Sequence, residues 1–214
     1  MNSLLNQSSI LVLAPHTDDG EFGCGGTIAR FLEAGVKVHY VAFSSCDESL
    51  PGALPAGTLK DEMYKATTKL GISRDSVTLF NFRVRKFPEL RQDILEEMVK
   101  LSRSLKPSLV LLPSTHDTHQ DHNTIAQEGF RAFKSTSILG YEVPWNNLTF
   151  TTNAFVHLEE RHLQAKIESI QCYLSQTERV YSRPESIRSL AVTRGVQIGA
   201  PYAEAFEVIR WIVR

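Results

Sequence analysis

Short apolar runs alternate along this chain with longer stretches that are apolar on one side only. Ile10-Leu11-Val12-Leu13-Ala14 and Leu109-Val110-Leu111-Leu112 are unbroken apolar runs bounded by polar or turn residues, the pattern of strands buried on both faces. Val36 to Phe43 and Val77 to Phe80 read as two further strands. Between the first two, Ile28, Phe31 and Leu32 mark one face of a helix that opens at Gly25-Gly26-Thr27 and stops at Gly35. A helix from Leu59 to Leu70 ends at Gly71. Leu90, Ile94, Met98, Leu101 and Leu105 recur at three- and four-residue spacing, which predicts an amphipathic helix entered through Pro88 and closed by Pro107. The last third is less regular. It reads as a helix from Thr124 to Lys134, strands near Ile138 to Val143 and Ala154 to Leu158, and helices over 160–174 and 184–194. The β-rich tail, Ala205 to Val213, is expected to form an edge strand.

Strand and helix in alternation imply right-handed βαβ crossovers, hence an α/β fold whose mostly parallel sheet carries helices on both faces. No internal repeat, low-complexity tract or linker interrupts it, so one domain over 1–214 is expected. Residues 44–57, with Pro51, Gly52, Pro55 and Gly57, form a long surface loop of the kind that covers binding sites.

Bulk composition narrows the choice. Hydrophobic residues make up 42% and charged residues 22%, as in ordinary soluble globular proteins. A formal net charge of −1 removes any whole-chain attraction to nucleic acid or anionic membrane. Three widely spaced cysteines, Cys24, Cys46 and Cys172, contain no CxxC pair; they argue against a disulfide framework and a Cys-type structural zinc site, and fit a reducing compartment. Met1 to Gln7 lacks the basic start and apolar middle of a signal peptide, and no apolar stretch approaches the roughly 20 residues of a membrane helix. The expectation is a soluble cytoplasmic protein acting on a small molecule, with no nucleic-acid partner and no membrane span; a homo-oligomer is compatible with it.

The chemistry sits after two of the strands. The first runs into His16-Thr17-Asp18-Asp19-Gly20-Glu21 and the fourth into Asp117-Thr118-His119-Gln120-Asp121-His122. Ligands of parallel sheets bind at the carboxyl ends of strands, so both clusters are delivered to one edge. His16 and Asp19 can reach one ion, and a nitrogen from the second cluster completes a His-Asp-His set. Three protein ligands with an open water position is the pattern of a catalytic zinc site. Such an ion brings the pKa of bound water towards about 7 and polarises a carbonyl oxygen. Asp18 is then free to act as general base. Whichever of His119 and His122 does not bind metal can protonate a leaving group or steady an oxyanion, with Asp121 orienting it and raising its pKa. Against this stands a plainer reading, in which Asp18 or Asp19 merely caps a helix. Gly23, Gly25 and Gly26 do not satisfy GxGxxG and read as a tight helix entry rather than a phosphate cradle. His39, His157 and His162 read as surface or satisfied core residues, His116 as a neighbour of the pocket, and Cys24 as a small packing group. Trp145 reads equally as a residue that stacks on a sugar ring and as one that merely anchors a loop.

These two motifs resemble those of the PIG-L/LmbE-like zinc deacetylases, which carry a His-Pro-Asp-Asp-Glu type loop running into Gly-x-Gly-Gly-Thr and, later, Asp-x-His-Pro-Asp-His. Here they stand as His16 to Ile28 and Asp117 to His122. Glu62, Ala66, Leu70-Gly71, Arg194-Gly195 and Ala203 to Phe206 extend the resemblance over most of the chain. It implies a Rossmann-like fold and removal of an N-acetyl group from a glucosamine-type sugar or glycoconjugate precursor. By position, His16, Asp19 and His122 match the ligands of one zinc ion, Asp18 the general base, and His119 the imidazole that stabilises the transition state and protonates the amine, with Asp121 as its partner. Zinc is the default for such a set, and iron(II) or cobalt suits the same donors. Thr17 and Gln120 replace the two prolines, Gly20 a larger residue, and Leu59 an arginine associated with substrate binding; Lys60 is adjacent. Those departures keep a second reading open, a sugar- or nucleotide-binding module that retains the metal without turnover.

Overall fold

The computed structural model describes residues 8–50, 52 and 54–213, so Met1 to Gln7, Pro51 and Ala53 of the segments discussed above lie outside the described residues. Its centre is one seven-stranded sheet. In chain order the regular elements are β1 (Ser9–Ala14), α1 (Asp19–Glu33), β2 (Lys37–Ala42), α2 (Thr58–Leu70), β3 (Val77–Leu79), α3 (Arg91–Leu105), β4 (Leu109–Pro113), α4 (Gln120–Ala132), β5 (Ser137–Tyr141), β6 (Ala154–Leu158), α5 (Glu160–Ile170), α6 (Pro184–Val196) and β7 (Tyr202–Arg210). The strands lie in the order β3-β2-β1-β4-β5-β7-β6. Every pairing from β3 to β5 is parallel, while β7 runs antiparallel to both β5 and β6.

This is the mostly parallel, Rossmann-like arrangement expected. Alternate residues of β1 show why it is covered on both sides. Ile10, Val12 and Ala14 join a core with Ile28, Phe31, Met63 and Leu70 of α1 and α2. Leu11 and Leu13 face the opposite way, onto Ile94 and Met98 of α3 and Ile125 of α4. From β1 the chain winds outward through β2 and β3, then returns to place β4 on the other side of β1. The direction of winding reverses between β1 and β4, and there the loops leaving the two strands part to open a crevice.

Four expectations need correction. The first concerns α1, which begins at Asp19 rather than Gly25. Gly25 is a restart: Cys24 departs from helical geometry (φ −149°, ψ 25°), freeing backbone N–H groups in the middle of the element. The Glu204 carboxylate accepts two of them, from Gly26 at 3.1 Å and Thr27 at 2.6 Å, and its Oε1 also receives Lys166 Nζ at 2.6 Å. All three groups are buried. The glycines allow close packing: a Cβ on Gly23 would sit 2.2 Å from the Tyr141 ring, and one on Gly26 would sit 2.5 Å from Leu158. The second correction is β7, which is no edge strand; β6 pairs along its outer side and takes the edge. The third is α4, which starts at Gln120, four residues before Thr124, because the His119 ring nitrogen Nδ1 accepts the Asp121 N–H and caps it. Pro88 likewise falls in the turns before α3, which begins at Arg91. Among the described residues no helix is long and apolar enough to cross a membrane.

The Glu204 carboxylate therefore neutralises a buried lysine and re-caps a broken helix at once. Glu204→Leu is expected to destabilise the fold by about 3–5 kcal/mol, since it leaves a buried ammonium without a partner. Adding Lys166→Met should restore part of that loss, with urea unfolding as the measurement.

Candidate metal centre and active-site cleft

The loop leaving β1 folds back on itself, so that the His16 N–H donates to Asp19 Oδ2 at 2.8 Å. The same carboxylate oxygen lies 3.0 Å from His16 Nδ1 and 3.2 Å from His122 Nε2, and the two imidazole nitrogens are 3.3 Å apart. Donors placed 2.0–2.1 Å from a tetrahedral zinc ion are separated by about 3.3 Å, so this triangle has the dimensions of one face of such a site. The outer nitrogens are also held: His16 Nε2 by Asp121 at 3.0 Å, and His122 Nδ1 by Asp117 at 2.7 Å. A carboxylate behind each imidazole fixes ring orientation and raises ligand basicity, the usual support of a metal-binding histidine. Donor type, spacing and backing all fit a divalent cation.

The electrostatics agree. Burial disfavours charge on His16 and His122, yet the surrounding carboxylates outweigh it. Asp19 and Asp121 raise His16 to about 9, and Asp19 with Asp117 raises His122 to about 10. Asp19 is itself buried, which works against its charge, but the two rings hold its carboxyl well below the usual range. The carboxylates thus call for positive charge at the centre of the triangle.

Two groups flank the triangle without belonging to it. Asp18 stands at the start of α1, but its side chain makes no capping hydrogen bond, which removes the plain structural reading of that residue. Burial, followed by the neighbouring Asp19 charge, lifts its pKa to about 6. His119 lies edge-on to His16, with ring centroids 5.0 Å apart, and 4.8 Å from the His122 ring. A ring nitrogen of each of His16, His119 and His122 falls within 4.8 Å of the others, so the three imidazoles form a cluster. Because His119 Nδ1 accepts the Asp121 N–H at 3.2 Å, the neutral ring carries its proton on Nε2. Burial and the rings of His122 and His16 keep its pKa below the ordinary value.

Asp121 serves a different ring from the one expected. Its carboxylate turns to His16 and accepts the N–H groups of Arg85 (2.6 Å) and Phe87 (3.3 Å), touching His119 only through its backbone. The imidazole–carboxylate pair from the second motif is instead His122 with Asp117, a role for Asp117 that the sequence reading did not assign. Also unforeseen is a buried prop beneath the first loop. The hydroxyls of Tyr40 and Tyr173 lie 3.1 and 2.6 Å from the Thr17 carbonyl oxygen and both contact the Glu21 carboxyl, which burial pushes up to about 8. Glu21 was visible in the motif, whereas nothing local marks two tyrosines from β2 and the segment after α5.

The crevice above these groups has a volume of about 620 Å³. Glu48, Ser49 and Leu50 of the 44–57 loop line it, as do Leu59, Arg85 and Arg179. Trp145 reaches it as well, but one ring face is taken by Tyr181, stacked at 3.8 Å and 12°. His116 is exposed and does not line the crevice, and His162 is committed to Glu159 and Glu33. Asp117→Ala is expected to weaken divalent-metal binding 10–100-fold by releasing the His122 ring. Competition with a chelator measures it.

The PIG-L family, described as GlcNAc-PI de-N-acetylase, matches residues 11–133, a span that contains both motifs. An Escherichia coli K12 protein named uncharacterized deacetylase YaiS is 26% identical over 180 residues, covering 82% of this chain and 95% of its own. The diacetylchitobiose deacetylase of Thermococcus kodakarensis is 24% identical, with coverages of 94% and 82%. Among solved structures, the 4-carboxy-2-hydroxymuconate hydratase GalB of Pseudomonas putida superposes with a TM-score of 0.80 at 22% identity, over 97% of this chain and 98% of its own. The fold alone therefore does not select the reaction. With the family match covering more than half of its length and both site motifs, the chain belongs to the PIG-L family of deacetylases.

Proposed function

We propose that this chain is a metal-dependent hydrolase that removes the N-acetyl group from an N-acetylglucosamine-type sugar or conjugate, with zinc as the metal. The observation that carries the reading is Asp18: a carboxylate beside a three-donor triangle, spent neither on the triangle nor on the helix it precedes. Binding alone has no use for such a group. The family match and the name of the Thermococcus relative support an acetylated sugar as substrate.

His16, Asp19 and His122 would hold the ion, which when bound polarises the amide carbonyl and acidifies water. Asp18 takes the proton of the attacking water. A pKa of about 6 leaves it ionised at neutral pH, yet basic enough to hold that proton through the step. His119 presents its Nε2–H to the oxyanion that develops on the former carbonyl oxygen. As the carbon–nitrogen bond breaks, His119 supplies a proton to the departing amine and recovers one from Asp18. Acetate and the amino sugar leave as carboxylate and ammonium, the water's second proton passing from the new carboxyl group to the amine, so atoms and charge balance. Asp121 and Asp117 keep the two ligand rings aimed, and Tyr40, Tyr173 and Glu21 hold the loop that carries Asp18.

Acetate release from N-acetylglucosamine and diacetylchitobiose, assayed with added zinc, tests the reading. Asp18→Asn is expected to lower kcat by about 10²–10⁴-fold with metal content unchanged. His119→Ala should lower it by about 10²–10³-fold, as loss of an oxyanion donor does. A zinc-loaded protein that binds these sugars and releases no acetate, or an Asp18→Asn variant at full rate, would overturn the proposal.

A further inference from the structure

The lining of the crevice changes character from one part to another. Around the imidazoles and carboxylates of the metal centre, Arg85, Asn146, Gln176 and Arg179 offer the donors and acceptors that sugar hydroxyls use. Another part of the lining is apolar and consists of Cys46, Leu50, Leu59 and Val84. These side chains come from three places: the 44–57 loop, the first turn of α2, and the connection between β3 and α3. Even so, Cys46, Leu59 and Val84 belong to one buried apolar cluster, and Leu50 packs against it. Leu59 is 3% exposed, and Cys46 and Val84 are each 7% exposed. The hydrophobic core thus comes to the surface in one corner of the crevice.

That corner adjoins the reacting groups. Burial pushes the Cys46 thiol pKa up, and the charges of Asp18 and Asp19 push it further. The thiol therefore stays protonated and packs as a small apolar group beside the proposed base. Leu59 puts an apolar side chain where the resemblance would place an arginine, so the corner holds no charge of its own. An N-acylated sugar is polar everywhere except at its acyl chain. Its hydroxyls gain nothing from an apolar wall, because a hydroxyl buried without a hydrogen bond costs free energy. A single acetyl methyl covers only part of four such side chains.

We propose that this corner is an acyl-chain pocket whose reach is set by Leu59, and that the protein hydrolyses N-butyryl in preference to N-acetyl groups. The assignment rests on the deacetylase reading for the chemistry, but its own observation is the apolar corner within the crevice. The step is otherwise the same. Water adds to the acyl carbon, the carbon–nitrogen bond breaks, and butyrate leaves in place of acetate, with the same protons moved.

N-butyrylglucosamine and N-acetylglucosamine are the probes, assayed with added zinc. Each methylene beyond the acetyl methyl should tighten binding about fourfold. The butyryl compound is therefore expected to show a KM at least tenfold lower, and Leu59→Phe, which narrows the corner, should cancel or reverse that ratio. A parallel titration uses the N-propylsulfonyl and N-methylsulfonyl derivatives of glucosamine, which have no carbonyl to attack, followed by calorimetry on the wild-type protein. It decides the matter even if the narrowed variant fails to fold. Tighter binding of the propylsulfonyl compound with no acid released from either amide would leave the pocket standing and remove the deacetylase reading. Equal KM values for the amides with equal affinities for the sulfonamides, or a KM ratio that folded Leu59→Phe leaves unchanged, would overturn the pocket and leave deacetylation untouched.

Discussion

The carboxylate of Asp19, gripped between two imidazoles, is the interaction on which the rest of this molecule turns. It brings together the loops of β1 and β4, whose ligands are more than a hundred residues apart, and does so with one oxygen atom within 3.2 Å of both rings. Such a cluster is costly to bury, because each ionised group loses its hydration. The expense is met locally, by surrounding every charge with an opposite one: Asp121 behind His16 and Asp117 behind His122. A cluster this rich in carboxylates is stable only with positive charge at its centre. That charge is carried by protons on the two histidines or by a cation in their place.

Much of the scaffold exists to keep that arrangement rigid. The strands that deliver the motifs are neighbours at the point where the sheet's winding reverses, so the crevice is a product of topology before any side chain is considered. Below it, two tyrosine hydroxyls, both in contact with a Glu21 carboxyl raised to about 8, hold the Thr17 carbonyl from the protein interior. Thr17 stands where the resemblance would place a proline. A loop deprived of that stiffening ring is steadied instead by hydrogen bonds from outside itself.

Local pattern carried the reading of the chain a long way, and where it failed the cause lies in distant residues. The strand Ala154–Leu158 was legible to the residue, because its mostly apolar run is bounded by polar residues on both sides. The start of α1 was not, because the acceptor that restarts the helix at Gly26 and Thr27 is Glu204. Nor was the placement of β7 inside the sheet, since a β-rich segment looks the same whether one neighbour flanks it or two. At the site, the motif spacing placed His16, Asp19 and His122 together, which the geometry shows as a triangle of donors. It could not say which ring Asp121 would face, as that depends on how Arg85 and Phe87 approach from another loop. Trp145 was legible as an aromatic near the crevice, but its stacking on Tyr181 is a tertiary fact.

The bond between Gly26 and Glu204 spans 178 positions. The helix that presents Asp18 and Asp19 has its break closed only by a residue that lies that far along the chain. Pairings of such long range slow folding, because the loop they close is ordered late. Until β7 takes its place in the sheet, the broken helix that carries the first motif is without the acceptor for its Gly26 and Thr27 N–H groups.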